Sequence, residues 1–249
     1  MISKRIIPTI LCRGRQMVKG MQFNSWRTVG VAAQAVRVHQ MRGVDELVLL
    51  DIAATEEHRS PYLDMVADLG STCFMPLAVG GGVRSVQDVK MLLRSGADKV
   101  VIGAEAYRNP HLLKACADVV GNQAIVAAVD VDADGRVRPK GDMMAIGIDA
   151  LDLAGLYTVM GAGEILLTAK AREGTMIGYD LDLIVRVARN VPVPVIAHGG
   201  CGTYEDMYQA LVAGADAVAA GAFFQFTDAT PAEAARYLAG QGIETRIRA

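Results

Sequence analysis

The sequence predicts an α/β fold, a closed (β/α)8 (TIM) barrel with an internal two-fold, half-barrel repeat. Three observations lead there. The chain has 249 residues, a length at which a single α/β barrel is common. Short, nearly all-apolar runs alternate with amphipathic helical patterns, as in a parallel sheet covered by helices. Finally, the chain repeats itself. PLAVGGGVRSVQDVKMLLRSGADKVVIGA (76–104) aligns without a gap on PVIAHGGCGTYEDMYQALVAGADAVAAGA (194–222), with 11 of 29 positions identical, among them Gly81/Gly199, Gly82/Gly200, Asp98/Asp216 and Gly103/Gly221. The same offset of 118 lays GVDELVLLDIAA (43–54) over GAGEILLTAKAR (161–172), matching Glu46 to Glu164. The expected organisation is one barrel over 1–249, with half-barrels of approximately 1–120 and 121–249. A doubly wound open sheet is the alternative, but two four-strand halves complete each other's edges when the sheet closes.

The first strand is RIIPTIL, rich in β-branched residues, and a basic, Gly-punctuated loop with Arg13, Arg15 and Lys19 follows it. Later strands end near Asp51, Val79, Ile102, Asp130, Thr168, Ala197 and Ala220. Between the strands lie helices such as 86–96, with Gly96 where a C-cap glycine belongs. The net charge of −2 argues against nucleic-acid or membrane-surface binding. No apolar run approaches the roughly 18 residues that span a bilayer. The N-terminus enters a strand directly without a signal or transit pattern, so a cytoplasmic location is expected. Cys12, Cys73, Cys116 and Cys201 show no C-x-x-C spacing and do not pair with His39, His58, His111 or His198. Reduced thiols are expected rather than a metal site, and no cofactor is implied.

The strand C-termini and the loops after them form the active face of such a barrel. VGGG (79–82) and HGG (198–200) each precede a helix, and their glycines let backbone N–H groups approach a phosphate. The next units end IGA (102–104) and AGA (220–222). Tight turns need Gly regardless, but four small-residue turns paired by the repeat suggest two opposed phosphate sites and a long ligand. Asp130 ends the fifth strand as either a turn former or a general acid/base. Shifted by 119, Asp130 falls on Leu11, so the first strand lacks the carboxylate that its twin keeps. Asp51 is a second acid at the mouth, of a kind more often structural than catalytic.

The segments KRIIP, VKG, DELVLLDI, PLAVGGGVRSVQDV, GADKVVIG, GAGEILLT, EGTMIGYDLDLI and ADAVAAGAFFQF resemble the cyclase subunit family of imidazole glycerol phosphate synthase almost end to end. That resemblance implies a duplicated (β/α)8 barrel binding a bisphosphorylated ribulosyl–formimino–aminoimidazole carboxamide. The family takes ammonia from a glutaminase subunit, in a heterodimer, to make imidazole glycerol phosphate and aminoimidazole carboxamide ribonucleotide in histidine biosynthesis. It further implies phosphate-binding turns at Gly81, Gly82, Gly103 and Ala104, and at Gly174, Gly199, Gly200, Gly221 and Ala222. Asp51, Thr168 and His198 join the substrate-binding set. Lys19 matches the lysine of a mobile first loop, and Asp130 one of two catalytic aspartates. The other is replaced by Leu11. Gly103, Ala104, His198 and Ala222 also depart from the family's pattern, as does the loop bearing Arg136, Arg138 and Lys140.

Arg5, Glu46, Lys99 and Glu164, at the starts of strands, match the family's charged ring that gates ammonia entry. A neutral salt-bridged plug is the other reading of these four. Asp98 and Gln123 match residues facing the glutaminase. FMPL (74–77) and EGTMIGYD (173–180) resemble paralogues that accompany a sugar amidotransferase and are implicated in making acetamidino groups on bacterial surface sugars. The resemblance therefore implies an ammonia-conducting synthase subunit serving sugar amidation. A true histidine-pathway cyclase and a non-catalytic scaffold for a phosphorylated metabolite are the alternatives.

Overall fold

The computed structural model describes residues 3–138 and 146–246. Eight parallel strands form the barrel: β1 (Arg5–Arg13), β2 (Leu47–Asp51), β3 (Leu77–Gly80), β4 (Lys99–Ile102), β5 (Ile125–Val131), β6 (Glu164–Ala169), β7 (Val195–His198) and β8 (Ala217–Ala220). Each pairs with its neighbours in chain order, and β8 returns to β1 through Arg5↔Ala217 to Pro8↔Ala220. The sheet is closed, so the open-sheet alternative falls and the barrel expectation holds. Several strands run a residue or two beyond the expected ends.

Side chains alternate across each strand. One set, with Ile7, Val48, Ala78, Val101, Val126, Leu166, Ile196, Ala217 and Ala219, fills the barrel interior. The opposite set, with Ile10, Leu49, Val79, Val100, Val129 and Leu167, packs against the surrounding helices. Helix α3 (Val86–Arg94) is capped by Ser85, whose hydroxyl accepts from Asp88 N at 3.1 Å. Helix α8 (Tyr204–Ala213) has a capping box built by Thr203 and Asp206, 118 residues on. Such caps are each worth about 1 kcal/mol. Gly96 and Gly214 follow the two helices at φ +104° and +123°. Asp98 accepts from Leu77 N at 2.8 Å, and Asp216 accepts from Val195 N at 3.0 Å. Both aspartates thus anchor the start of the strand before their own.

The segment after β1 differs from its expectation. It is an antiparallel hairpin, Gln16–Met21 with Asn24–Val31, rather than an irregular loop. Its turn holds Gln22 and Phe23 at φ +52° and +61°.

At the N-terminal end the barrel floor is a closed ring of charge. Arg5 reaches Glu46 at 2.6 Å and Glu164 at 3.1 Å; Lys99 reaches Glu46 at 2.9 Å and Glu164 at 3.0 Å. Each cation touches both anions. Glu46, one residue before β2, is only 2% exposed. Asp98 and Gln123 are exposed on the same end. Removing one partner of a buried ion pair strands the others. Glu46→Ala is therefore expected to lower unfolding stability by about 3 kcal/mol. Asp98→Ala loses one partly exposed hydrogen bond and should cost about 1 kcal/mol. Urea denaturation at pH 7 measures both.

Candidate functional site

The C-terminal mouth opens into a cavity of about 230 Å³. Its floor is apolar: Leu11, Leu50, Val101, Ala128 and Leu166 point into it. Leu11 is 4% exposed, registered against Leu50 of β2 and Val18 of the hairpin. The Leu11 side chain itself can carry no proton. Asp130 lies in register with Thr168, and Thr168 in register with His198, so three polar residues share the far wall. Thr168 Oγ1 and His198 Nδ1 are 3.2 Å apart. Burial, and then the Lys19 charge, push the His198 pKa down to about 3, so its imidazole is neutral at pH 7.

The glycine turns are required by the backbone itself. Gly81 and Gly82 sit at φ +105° and +69°, and a Cβ on either would overlap the carbonyl oxygen of Asp51 or Arg59. Gly199 and Gly200, at +91° and +106°, face the carbonyl oxygens of Ala169 and Gly178 in the same way. Gly103 differs: a Cβ there would meet only the Ala128 methyl, at 3.5 Å. Gly103 and Ala104 open the short helix α4 (Ala104–Arg108), and Gly221 and Ala222 open α9 (Ala222–Phe226). The first set of turns lines the cavity together with Arg84 and Arg108. The second set lies outside it, behind the hairpin.

Lys19 explains that separation. The expectation was a lysine on a mobile loop; the structure holds it in the hairpin, 2% exposed, with Nζ against Gly221 where a side chain would overlap it. The hairpin is fastened to the loop after β6: Gln22 N donates to Glu173 O at 2.8 Å, and Gln22 Nε2 to Ala171 O at 2.8 Å. Gly174, at φ +74°, packs directly on the Gly20 carbonyl. Nζ makes no hydrogen bond, nor does Glu173 Oε2. Burial lowers the Lys19 pKa to about 8, against the opposing pull of Glu173; burial raises that of Glu173. The ammonium beside Gly221 has the Glu173 carboxylate as its opposing charge, without a hydrogen bond of its own.

Asp51 is already engaged. Arg59 donates to its two oxygens at 2.7 and 3.3 Å, and Ala53 N at 3.2 Å. Arg59 also stacks over Tyr62 at 4.4 Å and pairs with Glu57 at 2.6 Å. Arg138 and Lys170 both pair with Asp132 on the loops after β5 and β6. Arg136 lies on the same loop, donating to Gly147 O at 3.1 Å, while Lys140 falls outside the described residues. Among the described residues no cluster of three His, Cys, Asp or Glu side chains could hold a metal ion, and no helix is long and apolar enough to cross a membrane. Sequence reasoning missed Arg59, Glu173, Tyr107 and Tyr157 and the hairpin aromatics Phe23 and Trp26. Arg84, directly after the GGGV turn, carried a positional signal; the others carried none.

His198 and His39, whose pKa burial lowers to about 4, are both held neutral. The unfolded chain binds protons at these positions below about pH 6.5, so their contribution is full above that pH and is lost as pH falls toward 3–4. Each loses about 1.4 kcal/mol per pH unit in that window. His198→Asn is therefore expected to gain about 2 kcal/mol relative to wild type between pH 7.5 and 5.0. Urea unfolding at the two pH values gives the difference; equal pH dependence would place the imidazole in a wetter site.

A family model described as "Histidine biosynthesis protein" matches residues 5–230. The chain is 43% identical to imidazole glycerol phosphate synthase subunit HisF of Dictyoglomus turgidum over 251 residues, 99% of this chain and 100% of that protein. It is 42% identical to the subunit of the same name from Pyrobaculum aerophilum, covering 99% of each chain. The Exiguobacterium sibiricum subunit is 40% identical over 249 residues, 99% of this chain and 100% of that protein. With a closed barrel, paired glycine turns and full-length similarity of this order, the chain belongs to the histidine biosynthesis protein family as a relative of the synthase subunit HisF.

Proposed function

We propose that this chain is the barrel subunit of a two-component synthase that receives glutamine-derived ammonia at its floor and holds a phosphorylated ligand at its mouth. In this reading a glutaminase subunit docks around Arg5, Glu46, Asp98, Lys99, Gln123 and Glu164. Ammonia passes the charged ring and crosses an interior of Ile7, Val48, Val126 and Leu166, where neutral NH3 travels and a desolvated ammonium is penalised. Phosphate groups of the ligand sit at Gly81–Gly82 with Gly103–Ala104, and at Gly199–Gly200 with Gly221–Ala222, Gly174 and Lys19. The half-barrels 1–120 and 121–249 each supply the glycine turns of one of these sites, and Lys19 crosses from the first half to the second site. The acceptor we propose is a surface-polysaccharide sugar, with a sugar amidotransferase as a further partner.

The observation that carries this reading is the contrast between the two ends. All four floor charges are present and mutually paired, while the mouth position that would hold a second proton-transfer group is Leu11, packed on Leu50. A positioned general acid or base contributes about 10²–10⁴-fold, or roughly 3–5 kcal/mol of barrier, and a leucine supplies none of it.

The second reading is the histidine-pathway cyclase. Asp130 remains at the mouth, and the similar proteins carry that synthase's name. Single-turnover formation of imidazole glycerol phosphate, with excess enzyme, bisphosphorylated substrate and ammonium, separates the two. Turnover is expected to be negligible; a rate within about tenfold of an authentic cyclase would establish the cyclase reading. A scaffold without a partner is tested by copurification with a glutaminase subunit of the synthase type. That complex, and ammonia transfer within it, should weaken in Lys99→Ala. Failure to copurify would return the ring to a structural plug.

The phosphate at the hairpin side has its own measurement. Inorganic phosphate is expected to raise the melting temperature of wild type, and much less that of Lys19→Met. Identical shifts in both proteins would remove Lys19 from the binding set.

A further inference from the structure

Arg59 lies on the loop after β2, and its side chain folds back onto the residue that ends that strand. Nη1 donates to Asp51 Oδ2 at 2.7 Å, and Nη2 to Asp51 Oδ1 at 3.3 Å. The remaining nitrogen, Nε, donates to Glu57 Oε2 at 2.6 Å, and the guanidinium stacks over Tyr62 at 4.4 Å. All three guanidinium nitrogens are thus engaged within the loop. Asp51, Gly81 and Gly82 line the mouth cavity, and Arg59 does not.

The backbone carbonyls at the two ends of this clamp are the ones that confine the GGG turn. A Cβ on Gly81 would overlap the Asp51 oxygen, and one on Gly82 the Arg59 oxygen. The ion pair ties residue 51 to residue 59, so it fixes those two carbonyls relative to one another. Next along the chain, Ser60 Oγ donates to Asp88 Oδ1 at 2.8 Å, and Asp88 Oδ2 accepts from Arg84 N at 3.0 Å. The bracing therefore continues into the first turn of α3.

The repeat supplies a contrast. In the second half, Ala169 and Gly178 present the matching carbonyls to Gly199 and Gly200. Ala169 has no carboxylate, and Ile177, 118 residues after Arg59, is an exposed alkyl side chain. There the backbone holds the turn, with Gly178 N donating to Gly200 O at 2.8 Å. Among the described residues, no backbone hydrogen bond joins Arg59 or Ser60 to Gly82. The first half uses a side-chain clamp where the second uses a backbone bond.

We propose that Arg59 is a positioning residue for the first-half phosphate site: by clamping Asp51, it sets the Gly81–Gly82 turn where its N–H groups meet a phosphate oxygen. The proposal rests on the phosphate reading above and adds the group that holds one of its two sites. A bidentate guanidinium–carboxylate pair fixes geometry in a way that a lone ammonium does not. A binding site about 1 Å too loose loses its function.

Two variants remove the clamp while keeping the local net charge. Arg59→Lys retains the positive charge without the fork, and the double substitution Asp51→Asn with Arg59→Met removes both charges together. The probe is inorganic phosphate, added to the full chain at fixed ionic strength. The amide resonances of Gly82 and Gly200, followed by NMR, read the two sites separately. Wild type is expected to shift both. In both variants the dissociation constant at Gly82 should rise by at least about fivefold, while that at Gly200 changes by less than about twofold. Full wild-type affinity at Gly82 in either variant overturns the proposal, because the clamp is then dispensable to the turn. Equal losses at Gly82 and Gly200 overturn it too, by showing a general effect on the fold. If phosphate leaves Gly82 unmoved in wild type, the phosphate reading itself fails at that turn and the proposal falls with it.

Discussion

The register of the closed sheet is the constraint on which everything else depends. β6 meets β5 over six residue pairs, from Glu164↔Val126 to Ala169↔Val131. Strand side chains alternate, so this one alignment decides which residues face the interior. It turns Val126, Ala128 and Asp130 inward and lays Thr168 beside Asp130. The next seam lays His198 beside Thr168. A slip of one residue would send Asp130 among the helices and bring Val129 to the mouth. At the other end, the same discipline brings Arg5, Lys99 and Glu164, on three different strands, into one ring with Glu46.

The two ends then solve opposite electrostatic problems. At the floor, two cations and two anions satisfy one another, which is what makes a buried charge tolerable. At the mouth, polar atoms are left over: Lys19 Nζ, Glu173 Oε2 and the Tyr157 hydroxyl all lack partners. In a core serving only stability, replacing such groups by apolar ones of like shape is neutral or favourable. Lys19 and Glu173 offset part of one another's burial cost through their opposite charges, although neither of these two atoms is hydrogen-bonded. The glycines do not share this status. Gly81, Gly82 and Gly200 are needed by carbonyls that approach them, whether or not an anion binds.

The barrel and its order of strands were legible because the repeat is gapless and each strand is an uninterrupted apolar run. The hairpin was not. Residues 16–31 alternate poorly, and the turn places Gln22 and Phe23 at positive φ instead of announcing itself with Asn-Gly. Lys19 consequently read as a loop lysine, although its side chain is enclosed. Of the candidate mouth residues, Asp130, Asp51, His198, Gly81 and Gly103 do line one cavity, and the turns of the second half stand behind the hairpin. Tyr157 was invisible for a different reason. It falls in an apolar helix as an ordinary core aromatic, although it also lines the mouth cavity.

The floor of the mouth decides what position 11 could do. Leu11, Leu50, Val101, Ala128 and Leu166 make a continuous apolar floor. A carboxylate at position 11 would be desolvated there, and burial without donors drives such a group toward its neutral form. In so apolar a floor an isolated acid would be held protonated and would not serve as a base at neutral pH. The polar demand of a ligand is met instead at the edges, by Arg84 and Arg108 on one side and by Thr168, His198 and Asp130 on the other. In the reading we propose, such a mouth holds and orients a phosphorylated molecule. Leu11 brings no proton-transfer group to it, and of its two aspartates Asp51 is already engaged by Arg59, which leaves Asp130.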